Sequence, residues 1–482
     1  MKTFFVIYDD TKETCYDIKN VIGEKRFGEV VYKRKTLQER FEKCCKDAGY
    51  QNRLLLFLKM DEVKSLMANV EELPENSVIV HVDSSFVVTD EKKFKVILEK
   101  AVYAKETIAV KREGKTFALI FANTKDYLNY LKQVASIKNQ TVVEENLEYQ
   151  ILNTDCVCNM NDLSEFLQYI TGGFDTRFFN SLQGDQYTVT KSSTNKKKIK
   201  SEYMYYHLLP DEMKRWFVLP YNYSETEKTA SYTMERLHMT DIAIRWVHGA
   251  FTKEEFEDLM KKVFYFVTTR KEKTISREAY EEEAETLYHK KVIDRVEELK
   301  AHELFPVLAS YIQNGTKYDS IDEIIQKYLR LYESIKKELY RNPIAVIGHG
   351  DLCFSNMLYN KETQTLKLID VKGAQKEEEL WTNPYYDLAK LSHSICGRYD
   401  FFNNDIYEIR MDDELHLNLV LEFDNKEFVE IFKKYLEQNG YNYRMIRILE
   451  TSLFLSMLPL HMDKPKKVFG FLQNAMNIME SL

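Results

Sequence analysis

The sequence predicts an α+β chain built in dissimilar parts, and three observations predict it. First, up to about residue 145, strand-like runs (TFFVIYD, RLLLFLK, SVIVHVD, TFALIFA) alternate with helix-like ones (KTLQERFEKCCKDAG, DEVKSLMANVEEL, EKKFKVILEKAVYA). Such alternation predicts a sheet with helices packed on it. Second, the stretch that follows to about residue 236 is dominated by short strand-like runs separated by turn signals. Third, from Asp241 to Tyr340 the reading is nearly all helix, with Ile324, Ile325, Tyr328, Leu329, Leu331, Tyr332 and Ile335 recurring at helical spacing. The expected division is 1–145, 146–236 and 237–482.

Length and composition agree with several domains. A chain of 482 residues exceeds one ordinary core. Its 44% hydrophobic and 30% charged content is that of a soluble globular protein, and no apolar run approaches the roughly 18 residues of a transmembrane helix. The start, MKTFFVIYDDTKE, meets two Asp residues at once and lacks a small-residue cleavage site, so it reads as a strand and not a signal peptide. Cys15, Cys44, Cys45, Cys156, Cys158, Cys353 and Cys396 lack the paired spacing of a zinc site and suit free thiols in a reducing cytoplasm. The net charge of −8 argues against nucleic acid as a partner, because phosphate contacts need a basic surface.

In the first part, Asp9, Asp10 and Asp83 fall at the carboxyl ends of strands, where ligands gather in open sheets. After a connection over 146–170, Gly172-Gly173 opens a turn, FFNSL reads as a strand, Gly184-Asp185 turns again and QYTVTK is a second strand. Lys191 ends that strand, and Glu202 follows 11 residues later on the helix KKKIKSEYMYYHLL. WFVLPYNYSETEKTASYTMERL gives two more strands and closes on a linker, Tyr232 to Leu237, that includes Glu235. The acidic run Glu281–Glu283 on a helix reads as a solvated face.

The chemistry gathers between Ile344 and Asp370, IAVIGHGDLCFSNMLYNKETQTLKLID. Two apolar runs, Ile344–Ile347 and Leu366–Ile369, bracket a polar loop holding His349, Asp351 and Asn356, and Asp370 closes the second run. Two carboxylates and an amide at one hairpin suit a base for a hydroxyl plus hard oxygen ligands for Mg2+ beside nucleotide phosphates. An Asp-rich turn is the plain alternative. Beyond lies NPYYDLAKLSHSICGRYDFF, with Asp387-Leu388-Ala389 on a helix, where His393 and Tyr399 suit core packing. Residues 410–482 read as a strand pair and scaffold helices.

On those residues the chain resembles the aminoglycoside phosphotransferase and choline kinase family, whose loop reads His-Gly-Asp-x4-Asn, followed by Ile-Asp on the next strand and an Asp-Leu-Ala helix. His349, Gly350, Asp351, Asn356, Ile369, Asp370, Asp387, Leu388 and Ala389 match it residue for residue. The resemblance covers about Thr171 to the C-terminus and implies a protein-kinase-like bilobal fold, with an antiparallel-sheet N-lobe and a mostly helical C-lobe. It also implies an ATP- and Mg2+-dependent transfer to a small-molecule hydroxyl, on a sugar, polyol or amino alcohol such as choline. Asp351 is then the expected base, with His349 bracing its loop and Asn356 and Asp370 as metal ligands. Lys191, set by Glu202, would grip the nucleotide under the Gly172-Gly173 turn, and Glu235 would sit in the adenine-holding linker. Asp387 would support the loop. The run Asp370-Val371-Lys372-Gly373 departs from relatives that carry an aromatic or acidic residue after the metal Asp.

The first part loosely resembles nucleotidyltransferase domains that join a nucleotide to a sugar phosphate or phosphocholine, on KRKTLQERFEKC and HVDSS. Their opening Gly-rich loop is absent, since only Gly23 and Gly28 lie near, and a degenerate, structural or regulatory domain is expected. The pairing implies a place in cell-surface polysaccharide synthesis, and 32 Tyr with 28 Phe, few Pro and abundant Lys suit an AT-rich bacterial genome. A bifunctional kinase and nucleotidyltransferase, or a catalytically silent nucleotide-binding scaffold, are the alternatives.

Overall fold

The structure, a computed structural model, describes residues 4–49, 54–170, 180–184 and 187–482. Gly172 and Gly173 lie outside the described residues. The chain divides into two units, Met1–Phe174 and Asp175–Leu482.

The first unit alternates strands and helices: β1 (Phe4–Asp9), α1 (Tyr16–Ile22), α2 (Leu37–Asp47), β2 (Leu54–Phe57), α3 (Val63–Glu71), β3 (Val78–Asp83), β4 (Phe86–Val88) and α4 (Glu91–Ala101). There follow β5 (Ile108–Arg112), β6 (Lys115–Phe121), α5 (Thr124–Ile137), α6 (Gln140–Glu145), β7 (Gln150–Asn153), β8 (Val157–Asn159) and α7 (Leu163–Ile170). Six strands form one sheet in the order β2-β1-β3-β6-β5-β7. β2, β1 and β3 run parallel, and β6 is antiparallel to both of its neighbours. Strand alternation divides the core between the two faces. Val6 and Tyr8 pack with Phe41 of α2 and Phe94 of α4, whereas Ile7 packs with Leu66 of α3 and Tyr127 of α5. α2 starts where it does because Thr36 and Glu39 cap each other: the Thr36 hydroxyl accepts from the Glu39 N–H, and the Glu39 carboxylate accepts from the Thr36 N–H.

Residues 146–170, expected as a connection at the start of the N-lobe span 146–236, belong instead to this unit. β7 pairs with β5 at the edge of the six-stranded sheet, and β8 pairs with β4 in a separate two-stranded sheet, so strand hydrogen bonds hold the connection to the first unit. The hairpin β5–β6 turns through Glu113 and Gly114, both at positive φ (51° and 81°). Two left-handed residues match the twist of the flanking strands.

The second unit opens with an antiparallel sheet of β9 (Asn180–Gly184), β10 (Thr188–Ser193), β11 (Pro220–Glu225) and β12 (Ala230–Glu235) in the order β9-β10-β12-β11. α8 (Lys196–Leu208) packs on it through Ile199, Tyr203 and Tyr232. The rest is mostly helical: α9 (Ile242–Val247), α10 (Lys253–Thr269), α11 (Arg277–Glu285), α12 (Lys291–Lys300), α13 (Phe305–Gly315) and α14 (Ile321–Leu339) precede the hairpin region of β13 (Ile344–Ile347), β14 (Met357–Asn360) and β15 (Thr365–Leu368). A π-helical turn at Thr286–Lys290 joins α11 to α12. After it come α15 (Pro384–Ile395), α16 (Tyr399–Asn403), α17 (Lys426–Gln438), α18 (Tyr443–Met457) and α19 (Pro465–Glu480). One core gathers around Trp246 and the rings of Phe256, Phe354 and Phe428; another packs Tyr288, Tyr328 and Tyr332 against α18 and α19. Among the described residues no helix is long and apolar enough to cross a membrane.

Candidate active site

The hairpin β14–β15 positions the site. Asn356 precedes β14 and Ile369-Asp370 follow β15, and the Ile369 N–H donates to the Asn356 carbonyl at 3.0 Å. That bond holds the two ends of the hairpin side by side. Asp370 then turns out of the strand at φ 57°, a left-handed conformation that Asp tolerates better than most residues. Its side chain is half exposed.

The loop from β13 to Asn356 is held from both sides. The His349 ring is fully buried; its Nδ1 accepts the Asp351 N–H at 3.1 Å, and its Nε2 lies 2.9 Å from the Ile369 carbonyl. Those partners assign the proton to Nε2 and make His349 a brace across the hairpin. The Asp387 carboxylate is buried and accepts the N–H groups of His349 (2.9 Å) and Gly350 (2.8 Å). Arg270 closes the arrangement with Nη1 2.8 Å from Asp387 Oδ2. The Tyr205 hydroxyl donates to the Gly348 carbonyl at 2.8 Å. Gly348 has no room for a side chain, since an added Cβ would stand 2.4 Å from Thr382 Cγ2.

Asp351 projects from this frame with its side chain 42% exposed. Asn356 Nδ2 donates to the Asp351 carbonyl (2.9 Å) and to Asp351 Oδ2 (3.1 Å), and Lys390 Nζ lies 3.0 Å from Asp351 Oδ1. Burial works to raise the Asp351 carboxyl, but the Lys390 charge and hydrogen bond, with His349 and Asn356, bring it below the usual range. A carboxylate there stays ionised at neutral pH and can accept a proton.

Lys191 lies in the sheet above. Its Nζ is 2.7 Å from Glu202 Oε2 and 2.7 Å from Asp370 Oδ1, and Tyr232 Oη donates to the same Glu202 oxygen at 3.1 Å. Lys191 and Glu202 are both buried, while Asp370 reaches solvent. Burial alone would lower the Lys191 ammonium; Asp370 and Glu202 together raise it instead. Beside this pair an apolar slot is lined by Phe217, Val218, Pro220, Tyr232, Met234 and Leu368. Aromatic and aliphatic walls next to a lysine and a carboxylate suit a flat heterocycle carrying phosphates.

The structure therefore brings Asp351, His349, Asn356, Asp370, Lys191 and Glu202 to one cleft. Glu235 is different: it stands exposed at the end of β12, outside the slot, while Tyr232 and Met234 of the same strand line it. Lys372 donates to the Trp381 carbonyl at 3.1 Å. His393 is buried between Tyr399 and Phe454. Sequence reasoning missed three contributors. Lys390 was visible as the residue after Asp-Leu-Ala, one helical turn beyond Asp387. Arg270 and Tyr205 carry no local signal.

No protein-family model matches the chain, and neither does any curated protein. Among solved structures, a thermostable mutant of aminoglycoside phosphotransferase APH(4)-Ia, in ternary complex with AMP-PNP and hygromycin B, aligns with 64% of this chain and 92% of its own at 10% identity and a TM-score of 0.39. The streptomycin–ATP complex of APH(2")-IIa aligns with 64% of this chain and 90% of its own, at 13% identity and a TM-score of 0.35. A Haemophilus somnus protein described as a fructosamine-3-kinase aligns with 66% and 96% at 12% identity and a TM-score of 0.37. Overlap at that level leaves the functional reading to the site's own geometry.

Proposed function

We propose that the second unit is an ATP- and Mg2+-dependent phosphotransferase acting on a hydroxyl of a small molecule. The observation that carries this reading is the convergence of Asp351, Asn356 and Asp370 at one hairpin, facing a buried Lys191–Glu202 pair. The acceptor oxygen attacks the γ-phosphorus, the bond from that phosphorus to the bridging oxygen breaks, and ADP leaves with the electron pair. Asp351 takes the hydroxyl proton, and the His349 brace and the two loop amides on Asp387 keep it in place. Lys191 moves its donors from Asp370 to the nucleotide phosphates while Glu202 holds it.

The residues present fit a magnesium ion. The donor set is hard oxygen, Asp370 reaches solvent with Lys191 on only one of its oxygens, and the Asn356 amide nitrogen is spent on Asp351, which leaves its oxygen as the remaining ligand atom. When bound, the ion neutralises charge spread over the phosphate oxygens.

The acceptor class is a sugar, polyol or amino alcohol, and cell-surface polysaccharide synthesis is the setting that the resemblance of the first unit favours. A screen of such alcohols for ADP release, with Asp351→Asn as the blank, tests the reading. Loss of the base should cost roughly 100-fold or more. Equal turnover in the blank rejects it, and a melting temperature indifferent to Mg·ATP returns the reading as a pseudo-enzyme or protein-binding scaffold.

One observation favours a second activity. In the first unit, the sheet order changes direction between β1 and β3, and a cleft of about 430 Å3 lined by Lys12, Lys111 and Lys115 together with Glu144 and Glu145 opens beside their carboxyl ends. Lys12 pairs there with Asp83. Nucleotidyl transfer predicts release of pyrophosphate from a nucleoside triphosphate and its loss in Asp83→Ala.

A further inference from the structure

Among the described residues, the reaction written above leaves Lys390 unused beside Asp351. Lys390 is on α15, one turn after Asp387, and its Nζ lies 3.0 Å from Asp351 Oδ1. The Lys390 side chain is only 16% exposed, so it is no surface lysine folded back onto a convenient acid.

Its position is fixed by the same contacts that fix the loop. Asp387 ties the first turn of α15 to the His349 and Gly350 amides and to Arg270. Residues three apart on a helix share a face, so Asp387 holds the loop and Lys390 meets the carboxylate that the loop presents. After Asp351 the loop runs Leu352, Cys353, Phe354, Ser355 and carries no cation of its own. Two ammonium groups among the described residues thus meet different carboxylates of the hairpin, Lys191 on Asp370 and Lys390 on Asp351.

The distances place Lys390 near the reacting atoms. A base lies about 2.6–3.2 Å from the hydroxyl it deprotonates, and that oxygen waits about 3–3.5 Å from the phosphorus. A cation 3.0 Å from Asp351 Oδ1 is therefore a neighbour of the acceptor hydroxyl, which would bind the same carboxylate. An ammonium has three donors, and Asp351 takes one. Phosphoryl transfer involves little covalent chemistry for the protein and depends on positive charge around the three equatorial oxygens.

We propose that Lys390 bridges Asp351 and the phosphoryl group in flight, supplying charge from the acceptor side while Lys191 supplies it from the nucleotide side. The inference rests on the phosphotransferase reading. Lys390 keeps its protons throughout; the bonds made and broken are those given above.

The test uses the full chain with Lys390→Gln, which keeps a hydrogen-bond donor and removes the charge, and Lys390→Arg, which keeps the charge. Three quantities are read: the melting shift with Mg·ATP, kcat and KM for ATP with water as acceptor, and the affinity for Mg·ADP with aluminium fluoride, which mimics the transferring phosphoryl group. Lys390→Gln should keep its melting shift and a KM within about twofold, lose roughly 100-fold in kcat, and lose the extra affinity that aluminium fluoride gives. Lys390→Arg should recover most of both losses. If Lys390→Gln turns over within about threefold of the parent, or if Gln and Arg fall together while aluminium fluoride still tightens binding, Lys390 merely orients Asp351 and the proposal is overturned. A parent chain that neither binds Mg·ATP nor hydrolyses it rejects the phosphotransferase reading itself, an outcome distinct from either.

Discussion

Both units place aspartates at the carboxyl ends of strands, but the two sets differ in how far they reach solvent. In the first unit Asp9 is buried: Oδ2 lies 2.9 Å from His81 Nε2 and accepts from Gln140 Nε2 at 2.6 Å, and Oδ1 accepts from the Thr11 backbone and hydroxyl. Burial works to raise this carboxyl, but the His81 and Thr11 contacts bring it below its ordinary range. Asp10 lies against Gly28, where an added Cβ would stand 2.4 Å from its Oδ2. In the second unit Asp351 and Asp370 are 42% and 50% exposed, each held by partners of its own, Lys390 and Asn356 for the first and Lys191 for the second. Asp9 is enclosed and serves the fold, whereas Asp351 and Asp370 reach solvent and stay within reach of a ligand.

Breaking that contrast at its widest means exchanging Asp for Asn on each side. Asp351→Asn is expected to lower turnover roughly 100-fold or more, whereas Asp9→Asn should leave kcat and KM for ATP within about twofold and act on stability alone. Steady-state ADP release on both variants decides it. Next in size is Lys191→Met. Removing a buried, hydrogen-bonded cation costs about 2–5 kcal/mol, so Mg·ATP affinity should fall at least ~30-fold by calorimetry. Lys200→Met, on the same helix as Glu202, should not change it.

His81→Ala removes one partner of a buried pair and should cost the first unit about 3 kcal/mol in urea unfolding, with ATP turnover of the folded protein unchanged. The smallest effect is one of pH. Burial pushes the carboxyls of Asp241 and Asp400 up to about 7 each. Between the ordinary carboxylate range and 7, the folded state holds protons that the unfolded state has released, so both groups lower stability as pH rises through that window. Asp400→Asn should flatten the decline in melting temperature between about pH 5 and pH 7.5. A variant whose curve parallels the parent's would show that Asp400 ionises normally.

The candidate site was more legible than the fold that carries it. His349, Asp351 and Asn356 occupy eight consecutive residues, and Asp370 follows within one hairpin, so local geometry alone brings them together. Lys191 and Glu202 were found through strand and helix order, and their 2.7 Å pairing agrees with that order. Glu235 was placed by its position before the helical region, and position in the chain does not say that Tyr232 and Met234 would face the slot while Glu235 faced solvent. The span 146–170 misled for a related reason. Its strands are short, β7 is exposed along its length, and only pairing with β5 and β4 assigns them to the first unit.

What the sequence determined by itself is the chemistry that short range can encode: oxygen donors spaced along one loop, the alternation of the first unit, the periodic faces of α14 and its neighbours. Only the tertiary structure decided which of those groups stay available. Arg270 reaches Asp387 across 117 residues and Lys191 reaches Asp370 across 179. Burial and partner choice are set by chain segments far apart in sequence, and these decide whether a carboxylate holds a fold together or waits for a substrate.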